Sequence, residues 1–190
     1  MLEELIRSNN GRRILDFGCG VGRHTKYFVK RGYEVYGFDQ SEKALQRAES
    51  TLANENLSAH LRVWNMLSPL PYETAFFDAV LAVRVIQHAY KKDILEILRE
   101  IDRVLRERGL VFIQVTSYET EMKNMLEGRK PIWVEPRTLI AETGPEKGIP
   151  RHLFTSEELL SMLKGYEILE IHSGTDHYDG HCIIARKLKH

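Results

Sequence analysis

The segment Ile14-Leu15-Asp16-Phe17-Gly18-Cys19-Gly20-Val21-Gly22-Arg23 joins a short apolar run to a glycine-rich turn and then to a helical period. Glycines let a backbone approach a ligand closely, and the first turn of a following helix leaves N–H groups free to bind it. Asp39 closes the next apolar segment, Tyr33–Phe38, so in a parallel α/β sheet its carboxylate would lie beside that turn. A carboxylate in that place suits a vicinal diol such as a ribose. The dinucleotide fingerprint requires glycine at its first, third and sixth positions. Gly18 and Gly20 fill the first two, but Arg23 stands sixth and Gly22 fifth, which disfavours an NAD-type site.

Other residues could do chemistry singly. His88 follows an apolar run and could act as an acid or base facing a substrate, since imidazole titrates near neutrality; the competing reading is a packed histidine. Arg23 could hold a carboxylate or be a solvated surface arginine. Trp133 could stack on a substrate or anchor a loop. His172, His177 and His181 lie near Asp176 and Asp179, but a polar hairpin explains them better than a metal centre, so no metal is expected. Lys91, Lys92, Arg99, Arg103, Arg106 and Arg108 are interleaved with Glu96, Glu100, Asp102 and Glu107, the pattern of an ion-paired, solvated helix surface.

Positioning these groups calls for an alternation of strands and helices. Strands are expected at Ile14–Phe17, Tyr33–Phe38, Ala59–Trp64, Phe77–Val83 and Leu110–Thr116. Helices are expected at Arg23–Lys30, from a Ser41 cap to about Asn54, and at Lys92–Arg108 with Gly109 as its stop. Ser117–Phe154 carries four prolines and Trp133 and is too long for an ordinary connector, which marks it as a lid-like insertion at 117–154. A short helix, Leu159–Leu163, then leads to two strands, Tyr166–His172 and Cys182–Leu188. The polar loop between them is too short for a crossover, so the last strand must run antiparallel to the one before it. The expected fold is α/β: a doubly wound seven-stranded sheet, mostly parallel with an antiparallel final strand, in one domain spanning 1–190.

The 190 residues carry 27 Lys plus Arg against 27 Asp plus Glu, giving zero net charge and no generic attraction to nucleic acid or an anionic membrane. Two cysteines, Cys19 and Cys182, make neither a disulfide framework nor a zinc site of the usual spacing. Met1–Asn10 lacks the apolar core of a signal peptide, and no apolar run approaches the roughly 18 residues of a membrane helix. A reducing, cytoplasmic setting is expected.

Ile14–Gly22 resembles the first motif of class I S-adenosylmethionine-dependent methyltransferases. The resemblance extends through Asp39, Leu70-Pro71, Phe77-Asp78, Val85-Ile86-Gln87-His88 and the antiparallel last strand. It is greatest to the small-molecule branch, similar to ubiquinone-biosynthesis and tellurite-resistance enzymes. The resemblance implies S-adenosyl-L-methionine as cofactor and S-adenosyl-L-homocysteine as product. It implies that Asp16 and the backbone of Gly18, Cys19, Gly20 and Gly22 hold the methionine part, with Arg23 beside them. Asp39 would take the ribose and Gln40 would lie by the adenine. Asn65, where the family often has an acid, would offer its carbonyl to the adenine amine beside Met66. Val83 and His88 would close over the methionine part. His152 lies in Gly148-Ile149-Pro150-Arg151-His152-Leu153-Phe154-Thr155, a segment that resembles one bordering the substrate pocket of small-molecule methyltransferases, and that resemblance makes it a second candidate beside His88. A small-molecule acceptor is favoured, because the Asn/Asp-Pro-Pro-aromatic motif of base methylation is replaced by Ala82-Val83-Arg84-Val85. The alternatives are a protein or RNA methyltransferase and a non-catalytic cofactor-binding regulator. A second copy of the chain could complete the pocket as a homodimer.

Overall fold

The computed structural model describes residues 1–125, 132–144, 146–175 and 178–189. Asp176, His177, Pro131, Pro145 and the side chain of Asp179 lie outside the described residues. The chain runs α1 (Leu2–Ser8), β1 (Arg13–Phe17), α2 (Arg23–Val29), β2 (Glu34–Asp39), α3 (Glu42–Ala53), β3 (His60–Val63), β4 (Phe77–Val83) and α4 (Lys91–Val104). It continues with β5 (Leu105–Thr116), α5 (Tyr118–Met125), β6 (Ile132–Glu135), β7 (Thr138–Ile140), β8 (Pro150–His152), α6 (Ser156–Met162), β9 (Tyr166–Thr175) and β10 (Tyr178–Lys187).

Seven strands form one sheet in the order β3-β2-β1-β4-β5-β10-β9. All neighbours in its first five strands pair in parallel, whereas β10 is antiparallel to both β5 and β9. The strand order reverses between β1 and β4, which opens a crevice at their carboxyl ends. The apolar run Phe77–Val83 becomes β4, whose Ala79, Val80, Leu81 and Ala82 are all buried because both faces of the sheet are covered. One face packs Phe17, Phe38 and Val80 against Ile94, Ile97 and Ile101 of α4 and Leu159 of α6. The other packs Ile14, Val35 and Leu81 against Ile6 of α1 and Phe28 of α2.

Local signals explain most element starts. The Ser41 hydroxyl accepts from the Ala44 amide at 3.2 Å and caps α3. Thr155 does the same for α6 through Glu158 N at 3.2 Å. The fourth helix is a correction: it stops at Val104 rather than Arg108, and Leu105 already belongs to β5. Lys187 of β10 donates its Nζ to the carbonyls of Asp102 (2.6 Å) and Leu105 (3.2 Å), taking up orphan acceptors at the helix end. The chain then turns on Arg108 (φ 59°) and re-enters the sheet at Leu110 beside Ala79.

The insertion at 117–154 carries secondary structure that its sequence did not announce: α5 is followed by a three-stranded antiparallel sheet, β6-β7-β8. Its neck is closed where Phe154 N donates to Thr116 O (3.0 Å) and Tyr118 N to Phe154 O (2.8 Å).

Candidate active site

The glycine turn is held open from beneath. Gly18 has φ 70°, and a Cβ there would come within 2.3 Å of Val85 Cγ2, so only glycine lets the β1 and β4 loops meet. Gly20 N donates to Asp39 Oδ2 at 2.9 Å, and Ser41 N donates to Asp39 Oδ1 at 2.9 Å. Asp39 therefore fixes the turn as well as facing the crevice. Asp16 is buried and accepts from Thr25 N (2.9 Å) and Thr25 Oγ1 (2.6 Å), tying β1 to the start of α2. Burial pushes its carboxyl up to about 6 against the opposing hydrogen bonds from Thr25.

These elements border a cavity of about 540 Å³ in the crevice, within the usual size for a small-molecule site. Gly18, Asp39, Gln40, Trp64, Asn65 and Met66 line it from the ends of β1, β2 and β3. Arg84, Val85, His88, Tyr90 and Asp93 line it from the β4–α4 connection. Glu146, Gly148, Ile149 and Pro150 of the insertion cover it. The Asn65 carbonyl accepts from Leu67 N at 2.9 Å, so it shapes its own turn and leaves the amide NH₂ directed by that turn. His88 is held by its neighbour: Gln87 Oε1 accepts from Thr116 N at 2.8 Å, and Gln87 O accepts from His152 N at 2.8 Å. Burial lowers the His88 pKa against the opposing pull of Glu146. His88 Nδ1 and Trp64 Nε1 are both buried without a hydrogen-bond partner, and both belong to cavity-lining residues.

Several expected residues are placed elsewhere. His152 is not a pocket residue. It is fully buried, with Nδ1 2.8 Å from Thr138 Oγ1 and Nε2 3.0 Å from Glu158 Oε2. Phe154 is likewise core rather than lid surface. Trp133 is 43% exposed and borders a shallow groove with Tyr118 and Arg137 instead of the cavity. Arg23 lines a separate groove with Lys26, Lys43 and Arg47, because the first turn of α2 points it away from the crevice. Val83 packs on the α1/α2 side of the sheet; the chain leaves β4 through Arg84 at φ 55°, and it is Val85 beyond that turn that lines the cavity. The Cys19 thiol is buried against Gly37, and burial raises its pKa, so only the backbone of Cys19 belongs to the turn. In the last hairpin His181 is satisfied by Ser173 Oγ (2.9 Å) and Phe154 O (3.1 Å), and His172 pairs with Glu170. No cluster of three or more potential metal ligands occurs among the described residues. Arg84, Tyr90, Asp93 and Glu146 are site residues that sequence reasoning missed. The nearest signal was Gly148-Ile149-Pro150, two residues after Glu146.

Trp133→Ala is expected to leave S-adenosylhomocysteine affinity within about threefold and stability within roughly 0.5 kcal/mol, as for an ordinary surface change. Calorimetry and a denaturant titration check both numbers.

The residues present fit S-adenosylmethionine. A turn that no Cβ could enter at Gly18 leaves room for its chain-like part, the Asp39 carboxylate lines the cavity where it would take a diol, and Trp64 Nε1 and His88 Nδ1 are polar atoms without a hydrogen-bond partner. No helix among the described residues is long and apolar enough to cross a membrane.

Comparison with known proteins agrees. The methyltransferase-domain family model matches residues 15–113. A 24-methylenesterol C-methyltransferase 2 of Oryza sativa subsp. japonica is 28% identical over 172 residues, 88% of this chain and 44% of that one. The malonyl-[acyl-carrier protein] O-methyltransferase of Salmonella typhimurium is 28% identical over 151 residues, 78% of this chain and 55% of that one. The chain spans about half the length of the curated relatives it matches. A crystal structure of a SAM-dependent methyltransferase from Methanosarcina mazei superposes with TM-score 0.79 at 26% identity, covering 94% of this chain and 93% of that one. From the glycine turn braced by Asp39 to the reversed last strand and these likenesses, the chain belongs to the class I S-adenosylmethionine-dependent methyltransferase-domain family.

Proposed function

We propose that the protein transfers the methyl group of S-adenosylmethionine to a small-molecule acceptor. One observation carries the reading: a single cavity of about 540 Å³ has Gly18 of the glycine turn and Asp39 on one wall and His88, Tyr90 and Glu146 on the other. When bound, the cofactor supplies an activated methyl on a sulfonium, so no protein nucleophile is needed.

What the chain contributes is alignment. Asp39 and the Gly18–Gly22 turn orient one reactant. Val85, Ile149 and Pro150 exclude water, and the Gln87–Thr116 and Gln87–His152 bonds fix the loop that carries His88. Orientation of this kind can account for about 7–11 kcal/mol of a barrier. The 146–150 segment acts as the acceptor-side cover. Relatives named for carbon and for oxygen methylation share the family, which fits a mechanism built on alignment rather than on one dedicated side chain.

The protein is expected to bind S-adenosylhomocysteine and not NAD by calorimetry. It is also expected to release S-adenosylhomocysteine in a screen of small hydroxyl and amine acceptors. Tighter binding of NAD, or cofactor binding without turnover on any acceptor, would reject the reading.

A further inference from the structure

Glu146 reaches the cavity from the insertion, not from the sheet that builds the rest of the site. Its Oε1 stands 4.0 Å from His88 Nε2, and its Oε2 stands 3.8 Å from Arg151. Arg151 is itself fixed by Glu121 of α5 at 2.7 Å, so the insertion holds the carboxylate in place from behind. His88 keeps a buried ring nitrogen with no partner, which in a cavity wall is a group awaiting a ligand.

We propose that Glu146 is a positioning residue for His88, making it the proton acceptor for a substrate whose attacking oxygen or nitrogen still holds its proton at neutral pH, a hydroxyl or an amine. The inference rests on the methyltransferase reading and adds to it the acceptor class and the origin of the base. The step balances. The acceptor's lone pair forms the new bond to carbon, the sulfur keeps the electron pair of the bond that breaks, and the acceptor's proton passes to His88. Imidazolium then faces the Glu146 carboxylate, which stabilises it as the orienting acid does in a nucleophile–base–acid triad. The charged groups around His88 are Glu146 and Arg151 of the insertion, Arg84 at the end of β4 and Asp93 of α4. Glu146 opposes the two arginines, and without it the ring would be a poorer base. Burial and the arginines hold the His88 pKa below its ordinary value, so the ring is neutral and able to accept at neutral pH.

The test combines nuclear magnetic resonance titration of the His88 ring with calorimetry on the full chain. Glu146→Gln removes the charge at a half-exposed position and should fold normally. It is expected to lower the His88 pKa by about one unit, a tenfold change in proton affinity. It should leave S-adenosylhomocysteine affinity within about threefold, and shift the acidic limb of the pH–rate profile, where the base becomes deprotonated, down with the His88 pKa. Glu146→Asp, which keeps the charge, should restore at least part of that shift. A His88 titration unmoved by Glu146→Gln overturns the inference while leaving the methyltransferase reading intact. Absence of S-adenosylhomocysteine binding to the wild-type protein would instead overturn that reading.

Discussion

Asp39→Ala is expected to weaken S-adenosylhomocysteine binding by two orders of magnitude or more. Two effects add. Among the described residues the carboxylate is the only acidic group on the β2 wall of the cavity, and hydrogen bonds from a diol to a charged acceptor are worth about 1.5–3 kcal/mol each. The same carboxylate accepts from Gly20 N and Ser41 N, so its loss frees the glycine turn as well as the ligand contact. The sequence alone placed Asp39 beside the glycine turn as a ligand contact, where its loss would spare the fold. The two backbone bonds change that expectation to a loss of about 1–2 kcal/mol, because a half-buried Asp39 leaves two amides to find water. Asp39→Asn separates the parts: it keeps one acceptor for the turn and loses the charge, so affinity should fall while stability recovers. Calorimetry and urea denaturation on the two variants provide the check. Unchanged affinity in Asp39→Ala would remove the carboxylate from the binding wall.

The largest effect on stability should come from Glu158→Ala. Glu158 is buried in α6 and accepts from Lys91 at the start of α4 (2.7 Å), Arg137 beside β7 (2.7 Å) and His152 of β8 (3.0 Å). One carboxylate thus clasps the insertion, α4 and α6 together. Burial alone would push its pKa up; the bonds from Arg137, Lys91 and His152 overcome that and hold it down to about 2. Burial keeps His152 neutral at neutral pH, so the charge of Glu158 is balanced chiefly by Arg137 and Lys91. Its removal leaves the buried His152 without its partner, while Lys91 (47% exposed) and Arg137 (31% exposed) turn to water, so the cost is about 3 kcal/mol, the low end for breaking a buried pair from one side. For a chain of this size that is roughly a 10 °C fall in Tm. The sign with pH follows from the folded pKa lying below the ordinary value of 4.5. The Glu158 contribution is whole above pH 4.5 and is lost as the pH falls toward 2, so the gap between wild type and variant should close over that interval. His152 adds an earlier loss: its folded pKa is lowered from 6.5, so the unfolded chain gains protons first as pH drops below that value. A variant as stable as wild type at pH 7, by urea denaturation, would show the clasp to be incidental.

What the sequence could specify was set by local physics. The glycine turn, the caps at Ser41 and Thr155 and the uninterrupted apolar run of β4 each carry their own cause in neighbouring residues, and all appear where their types demand. The end of α4 is decided elsewhere, by Lys187 reaching back 85 residues to Asp102 O, which no window along the chain contains. The histidines make the same point. His88 and His152 both sit in loops or short strands between apolar runs. One meets a cavity and the other meets Thr138 and Glu158, because tertiary packing chose their partners. Arg23 and Val83 sat near the right loops but on the wrong side: Arg23 opens a helix that faces another groove, and Val83 is the last strand residue before the left-handed turn at Arg84. Glu146 had no signal of its own: it is a charged residue in a segment whose sheet could not be read from its prolines and glycines.

Strand β10 enters the main sheet between β5 and β9, although it follows both in the chain. Until it arrives, β9 has no partner in that sheet, and the β5 edge lies open along seven positions from Leu110 to Thr116. The five parallel strands that carry the glycine turn and Asp39 present this edge to the end of the chain. β9 and β10 are neighbours in sequence and pair antiparallel, so they dock as a unit through the β10 side, in a contact distant along the chain. Such non-local closures are slow relative to helix formation, and open edges invite pairing with the wrong chain. The ion pair of Lys187 with Asp102 and the backbone contacts it makes at the end of α4 form only in that step, so the last strand to be made is also the one that locks the helix behind it.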